Sequence, residues 1–103
     1  MKRIIWLGSS YSDLLAFPKD AKQGAGYNLD KVQRGEEPVD WKPMPSVGKG
    51  VREIRIHCDN EYRVIYLAQR EESIYVLHSF VKKTQKTSKK DLDLAKKRYA
   101  LID

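Results

Sequence analysis

The strongest constraint on the fold is a change to a two-residue hydrophobic period directly after Gly50. In residues 51–58, apolar side chains fall on one face of an extended chain, and Glu53, Arg55 and His57 fall on the other. Two further β-prone runs follow, at 62–68 and 73–81, and polar turns at 59–61 and around 70–72 separate the three runs. The pattern predicts a three-strand antiparallel meander.

The residues before the meander predict one strand and two helices. A short apolar run over residues 4–7 is typical of a strand. Ser10 and Asp13 can begin a first helix, and the proline before residue 19 favours a second helix over 19–33. Residues 34–50 contain three prolines, so we expect a loop without regular structure there.

The end of the chain predicts a third helix. Ser88 and Asp91 form a capping box, and apolar residues then recur on one side: Leu92, Ala95, Tyr99 and Ile102. The order of elements predicts an α+β fold in which helices pack against a small antiparallel sheet. A chain of 103 residues has room for one domain, and we assign residues 1–103 to it.

The charge balance favours polyanionic partners. The chain has 20 Lys and Arg residues against 14 Asp and Glu residues, a net charge of +6, and nucleic acid is the leading candidate partner. Composition alone fits equally well a protein that is merely basic. The single cysteine, Cys58, suits a reducing compartment, and we see no signal peptide or membrane span. We therefore expect a cytoplasmic protein without membrane contact.

Basic residues cluster after the last predicted strand. The cluster consists of Lys82, Lys83, Lys86, Lys89 and Lys90, with Thr84 among the hydroxyl donors between them. Such side chains can contact several phosphates, although a solvated loop followed by a helix start explains the pattern equally well. Arg55 and Arg63, on neighbouring predicted strands, would extend the positive surface. In such a field a lysine loses its proton more readily, so a lysine could act as a general base.

Other kinds of catalytic or metal site have little support. His57 and Cys58 are adjacent in a strand and point to opposite faces, and no other spacing indicates zinc. His78 is in phase with Ile74, Val76 and Phe80, which favours a hydrogen-bonded core histidine over a catalytic one. We find no phosphate-binding glycine motif and no serine triad. We expect no metal and no small-molecule cofactor.

Three segments of the chain resemble the phage-derived branch of the RelE/HigB toxin superfamily. They are residues 48–55, 62–66 and 76–87. The resemblance spans most of the chain, its last segment is the most specific, and the predicted order of elements agrees with the fold of that family. It implies a type II toxin that enters the ribosomal decoding site and inhibits translation by cutting messenger RNA. The implied reaction is a metal-independent attack of a ribose 2′-hydroxyl on the adjacent phosphate.

The resemblance also implies site residues and partners. By position, the catalytic set is Arg55, Arg63, Lys82, Lys83 and Lys86, and the RNA contacts are Lys49, Arg52, Thr84, Lys89 and Lys90; which lysine acts as the base stays open. The implied partners are messenger RNA on the ribosome, with contacts to ribosomal RNA, and a cognate antitoxin of the helix-turn-helix type. The alternative is a non-catalytic basic module of phage origin that binds RNA or protein. A purely structural phage protein is a third, weaker hypothesis.

Overall fold

Helices and strands account for most of the chain in the computed structural model, which describes residues 1–68 and 72–102. Their order is β1 (Arg3–Trp6), α1 (Ser10–Leu15), α2 (Lys19–Gln33), β2 (Trp41–Pro43), β3 (Val51–Cys58), β4 (Asn60–Leu67), β5 (Ser73–Lys82) and α3 (Lys89–Tyr99). Most of the turn predicted around residues 70–72 lies outside the described residues. Within the described ranges, no helix is both long enough and apolar enough to cross a membrane.

The strands form one sheet in the order β1-β5-β4-β3-β2. The α+β class and the antiparallel β3-β4-β5 meander are confirmed. The expectation of an antiparallel sheet is wrong in one respect, because β1 pairs with β5 in parallel, so the sheet is mixed. A hairpin forces its two strands to run antiparallel, whereas β1 reaches the sheet through α1 and α2, and this connection permits a parallel pair.

Strand β2 lies in the segment that the sequence predicts to be a loop. Trp41–Pro43 pairs antiparallel with β3, and Lys42 stands opposite Glu53. The expectation of a loop throughout residues 34–50 is therefore wrong at this point. A proline is tolerated in β2 because this strand forms the edge of the sheet, where its missing N–H interrupts no ladder.

Each face of the sheet carries its own apolar core. Helices α1 and α2 cover the first face, and the core there includes Leu29 and Val32 of α2 with Ile54, Val64 and Ile74 of the sheet. Helix α3 and residues 44–50 cover part of the second face, where the core consists of Met44, Val47, Val51, Ile65, Leu67, Leu77, Phe80 and Ala95. The rest of the second face carries the charged side chains that the next section describes.

A buried arginine fastens α3 to the sheet. Arg98 donates hydrogen bonds to the carbonyl oxygen of Leu77 at 2.9 Å and to Oγ of Ser9 at 3.1 Å. Gly8 lies against this guanidinium with φ +55, and a Cβ at this position would come within 2.4 Å of Arg98 Nε. A side chain at position 8 would therefore displace the arginine that holds α3 in place.

Candidate functional site

A β-bulge in β5 decides which of its side chains reach the charged part of the second face. Ile65 of β4 stands opposite His78, but Tyr66 stands opposite Val76, so Leu77 is the extra residue. The expected phase of His78 with Ile74 and Val76 is therefore wrong. Beyond the bulge, His78, Phe80 and Lys82 point to the second face, where without the bulge they would point toward α1 and α2.

Cross-strand pairing places ionisable side chains side by side on this face. Arg55 of β3 stands directly opposite Arg63 of β4, and Arg63 stands opposite Phe80, two residues before Lys82. Like charges directly opposite each other on neighbouring strands destabilise a sheet. We call Lys42, Arg55, Arg63 and Lys82 the cation face. Such a cluster requires negative charge nearby.

Glu53 supplies this charge from inside the protein. Its side chain is 0% exposed, and Oε1 lies 3.5 Å from Nε of Arg63 and 3.9 Å from Nζ of Lys42. Its other oxygen, Oε2, accepts a hydrogen bond of 3.2 Å from Oγ1 of Thr87. Glu53 therefore connects β2, β3, β4 and the segment that leads from β5 to α3 (residues 83–88, the basic linker).

Arg63 is the most constrained member of the cation face. Its side chain is 2% exposed, and its guanidinium also contacts Glu61 Oε1 at 3.1 Å and the carbonyl oxygen of Tyr62 at 3.0 Å. Because it is enclosed, Arg63 affects neighbouring groups mainly through the electrostatic field of its charge, as in the lowered pKa of Lys82. Arg55 differs, because its side chain is only partly buried. Its Nε, like that of Arg63, has no hydrogen-bond partner among the described residues. Arg55 is therefore the arginine better suited to contact a phosphate.

Lys82 is the lysine of the cation face whose pKa is shifted. Its pKa is lowered, first by burial and then by the positive charges of Arg63, Lys42 and Arg55, while Glu53 opposes the shift. Burial and neighbouring cations both disfavour the ammonium form. Lys82 therefore has a larger neutral fraction near pH 7 than a solvent-exposed lysine.

A histidine and two carboxylates border the cation face. Nε2 of His57 lies 2.6 Å from Asp40 Oδ2, and Nδ1 lies 2.7 Å from Glu61 Oε1. These two hydrogen bonds, with Asp40 the larger cause, raise the pKa of His57. The pKa of Glu61 is lowered, chiefly by its hydrogen bond to His57 and also by Arg63. His57 therefore links β3 both to β4 and to Asp40, the residue before β2.

We expect His57→Ala to destabilise the protein in a pH-dependent manner. The raised pKa of His57 gives stability that is complete below pH 6.5 and is lost as the pH rises through the folded-state pKa. The lowered pKa of Glu61 gives stability that is complete above pH 4.5 and is lost in acid. The difference between wild type and His57→Ala should therefore be largest between these two values in urea denaturation. It should remain small, because both side chains are about half exposed.

The control for this experiment is Asn60→Ala, an exposed and uncharged residue in the same hairpin. Its stability relative to wild type should not change with pH. A His57→Ala difference that grows steadily from weakly acidic to alkaline pH would contradict the assignment.

Of the predicted residues of the basic linker, Lys86 lies beside the cation face, and Lys83, Thr84 and Lys86 are all exposed. Lys86 lines a groove of about 340 Å³ together with Lys42 and Thr87. Lys83 and Thr84 are exposed, and the Thr84 hydroxyl donates to the carbonyl oxygen of Lys86 within the linker. Lys83 and Lys86 therefore lie on the segment that Thr87 anchors to Glu53.

Lys89 and Lys90 lie in the first turn of α3 and are exposed. The Ser88 and Asp91 capping box that precedes and includes this turn is confirmed, with Asp91 N donating to Ser88 Oγ at 3.2 Å. Asp91 also contacts Nε2 of His78 at 2.7 Å. His78 is 5% exposed and stacks on Phe80, so the prediction of a hydrogen-bonded core histidine is confirmed.

Two predicted RNA contacts lie elsewhere. Arg52 points to the opposite face of the sheet from Arg55, with its guanidinium 3.9 Å from the ring centre of Trp41 and 3.7 Å from Glu37. The cause is strand alternation, because the two arginines are an odd number of residues apart. Lys49 is exposed in the turn before β3, about 20 Å along the chain from Arg55 at the usual rise of a strand. The structure brings neither residue to the cation face.

Sequence reasoning missed Glu53 and Lys42 as parts of the site. The sequence did contain a signal for Glu53. Glu53 and Arg55 are two residues apart in one strand and so point to the same face, and a carboxylate on a face with several cations is expected to pair with one of them. Lys42 gave no such signal, since its strand is short and lies within a proline-rich segment.

Comparison with known proteins gives one family. A family model described as "Phage derived protein Gp49-like (DUF891)" matches residues 12–100. This range includes the whole cation face, Glu53 and the basic linker. No curated protein shows a significant match to the chain.

Proposed function

Because the chain belongs to the Gp49-like family of phage-derived proteins, which is associated with toxin–antitoxin systems, we propose that it is the toxin of a type II system. The proposed activity is that of the RelE/HigB superfamily, namely metal-independent cleavage of messenger RNA on the ribosome. The observation that carries the proposal is the convergence of Lys42, Arg55 and Lys82 around the buried pair Glu53 and Arg63. The α+β fold is compatible with this assignment.

The cation face fits the charge changes of phosphodiester cleavage. When a ribose 2′-hydroxyl attacks the adjacent phosphorus, negative charge increases on the phosphate oxygens, and fixed cations stabilise this charge. Arg55 and Lys42 are partly exposed and are our candidates for contact with these oxygens. Lys83 and Lys86, on the linker that Thr87 anchors, are candidates for the neighbouring phosphates.

Lys82 is our candidate for the general base. Cleavage requires the 2′-hydroxyl to lose its proton as the oxygen attacks, which leaves a 2′,3′-cyclic phosphate and a new 5′-hydroxyl after the leaving oxygen is protonated. A lysine with a lowered pKa can accept the first proton, whereas an arginine stays charged. In this proposal Arg63 is a positioning residue, because it touches Glu53 and Glu61 and lowers the pKa of Lys82.

Primer extension on a translated message, before and after induction, tests this function. We expect growth arrest and new 5′ ends within the coding region, and in a reconstituted translation reaction a chelator at a concentration that leaves ribosomes intact should not reduce cleavage. Arg55→Ala should lower the cleavage rate about 10²–10³-fold, as does the loss of one donor to a transition-state oxyanion. Lys97→Ala, an exposed lysine of the last turn of α3, is the matched loss of charge and should retain activity.

The alternative function is that of a non-catalytic basic module that binds RNA or a protein. The enclosure of Arg63 between two glutamates favours it, since a buried arginine with carboxylate partners is also a structural feature. This module would bind RNA in a salt-sensitive manner and leave translated messages intact. Induction without new 5′ ends and without a growth defect would exclude the nuclease and leave the module.

The proposal includes a cognate antitoxin, which we expect to be a helix-turn-helix DNA-binding protein. The family's association with toxin–antitoxin systems supports this partner. Co-expression of the adjacent reading frame should restore growth, and co-purification of the two proteins would identify the complex.

A further inference from the structure

The groove beside the cation face has the composition of a small-ligand site. It is lined by residues 42–46, by Gln85, Lys86 and Thr87 of the basic linker, and by Leu92 of α3. Its volume of about 340 Å³ lies at the lower end of the range of small-ligand pockets, about 300–1,000 Å³. Pro45 and Leu92 give it apolar surfaces, and Lys42, Gln85, Lys86 and Thr87 bring side-chain donors to it. This combination suits a flat aromatic group with polar edges.

The charge of the groove selects an anionic ligand. Lys42 and Lys86 both line it, and no carboxylate is among the residues that line it. The pocket on the opposite face, beside Arg52, contains Glu36 and Glu37 and lacks this bias. The two lysines would therefore attract a phosphate group, and no carboxylate among the lining residues would repel it.

The groove is continuous with the proposed reaction site. Lys42 and Thr87 line the groove, and both contact Glu53, whose other partner is Arg63. A strand of RNA with its reacting phosphate beside Arg55 and Lys82 would therefore have a neighbouring nucleotide within reach of the groove.

From these observations we infer that the groove is a subsite for one unstacked nucleotide of the RNA strand. Its base lies against Pro45 and Leu92, its phosphate lies between Lys42 and Lys86, and Gln85 reads the edge of the base. Single-stranded RNA is commonly recognised through bases turned out of the stack, and a glutamine offers both a donor and an acceptor to a base edge. The inference rests on the proposed function and adds a determinant of sequence preference to it.

Photo-crosslinking tests the subsite directly. The RNA carries 4-thiouridine at one position at a time and a 2′-deoxy sugar at the cut, so that it binds without being cleaved. It is presented both as free RNA and on programmed ribosomes. We expect one position to crosslink to peptides that contain residues 42–46 or 85–87. Crosslinks confined to other peptides, or no crosslinks at all, would overturn the inference, and this includes the case in which a partner protein occupies the groove.

A second arm measures the bases found at cut sites. Gln85→Ala should reduce discrimination among the four bases at one position by about tenfold, the scale of one lost base-edge contact. The exposed control Lys97→Ala should leave the preference unchanged. If the wild type cleaves ordinary RNA but the groove does not crosslink, the proposed nuclease activity is supported and the subsite inference is wrong. If the groove crosslinks but ordinary RNA is not cleaved, the groove binds RNA and the proposed nuclease activity is wrong.

Discussion

Replacing Lys82 with arginine should lower the rate of RNA cleavage by a factor of about 10²–10⁴, the usual contribution of a general base. The substitution keeps a positive charge at the end of β5 but supplies a group that does not release its proton near neutral pH. If Lys82 only attracted phosphate, arginine would replace it with little loss. The comparison therefore separates proton transfer from charge.

The pH dependence of the single-turnover rate gives an independent measurement. A base works only when it is deprotonated, so the wild-type rate should fall as the pH drops below the pKa of Lys82. Because burial and the cations around Lys82 lower this pKa, the fall should begin below the ordinary range of lysine. Thermal melting of Lys82→Arg controls for folding. An arginine variant with wild-type rate and wild-type pH profile would show that Lys82 is not the base.

Most of the fold could be predicted because its signals are local. The two-residue period predicted the faces of β3, and the capping box located the start of α3. The polar residues at 59–61 predicted the hairpin between β3 and β4, although β4 already begins at Asn60 and the turn is confined to Asp59. Strand β2 could not be predicted, because three residues with a proline carry no period and are held by pairing with β3. The parallel pairing of β1 likewise depends on long-range contacts that no local pattern indicates.

The candidate site was predictable only in part. Strand alternation and the hairpin already place Arg55 opposite Arg63, and the structure agrees. The orientation of Lys82 could not be derived, because it depends on the bulge at Leu77, which reverses the alternation of β5. The period of β3 places Glu53 on the same face as Arg55, but the complete burial of Glu53 and its contacts with Arg63 and Lys42 are tertiary properties that the period does not reveal.

These observations indicate that the site is built around one buried carboxylate. Arg63 and Lys42 face Glu53 Oε1, and Thr87 faces Oε2, so the position of the basic linker depends on the same residue as the position of the arginine. A substitution of Glu53 should therefore reduce both the stability of the protein and its activity.

We expect Glu53→Ala to be the most destabilising single substitution in the site, with a loss of about 3–5 kcal/mol in the free energy of unfolding. Removal of one partner of a buried ion pair has this cost because the other charge loses its buried counter-charge. Arg63 is 2% exposed and would keep only the half-exposed Glu61 as an ionic partner. Urea denaturation measures the loss. Asp93→Ala, an exposed carboxylate of α3, is the control and should change stability by less than about 0.5 kcal/mol.

Two milder substitutions distinguish the charge of Glu53 from its hydrogen bond. Thr87→Val removes only the donor to Oε2, so it should cost about 1 kcal/mol and leave the protein folded, while the basic linker loses its anchor and cleavage slows.

Glu53→Gln keeps the shape of the side chain and removes the charge that opposes the lowering of the Lys82 pKa, so the acid limb of the pH–rate profile should move to lower pH. If Glu53→Gln is fully stable and keeps the wild-type pH profile, the carboxylate is not the centre of this site.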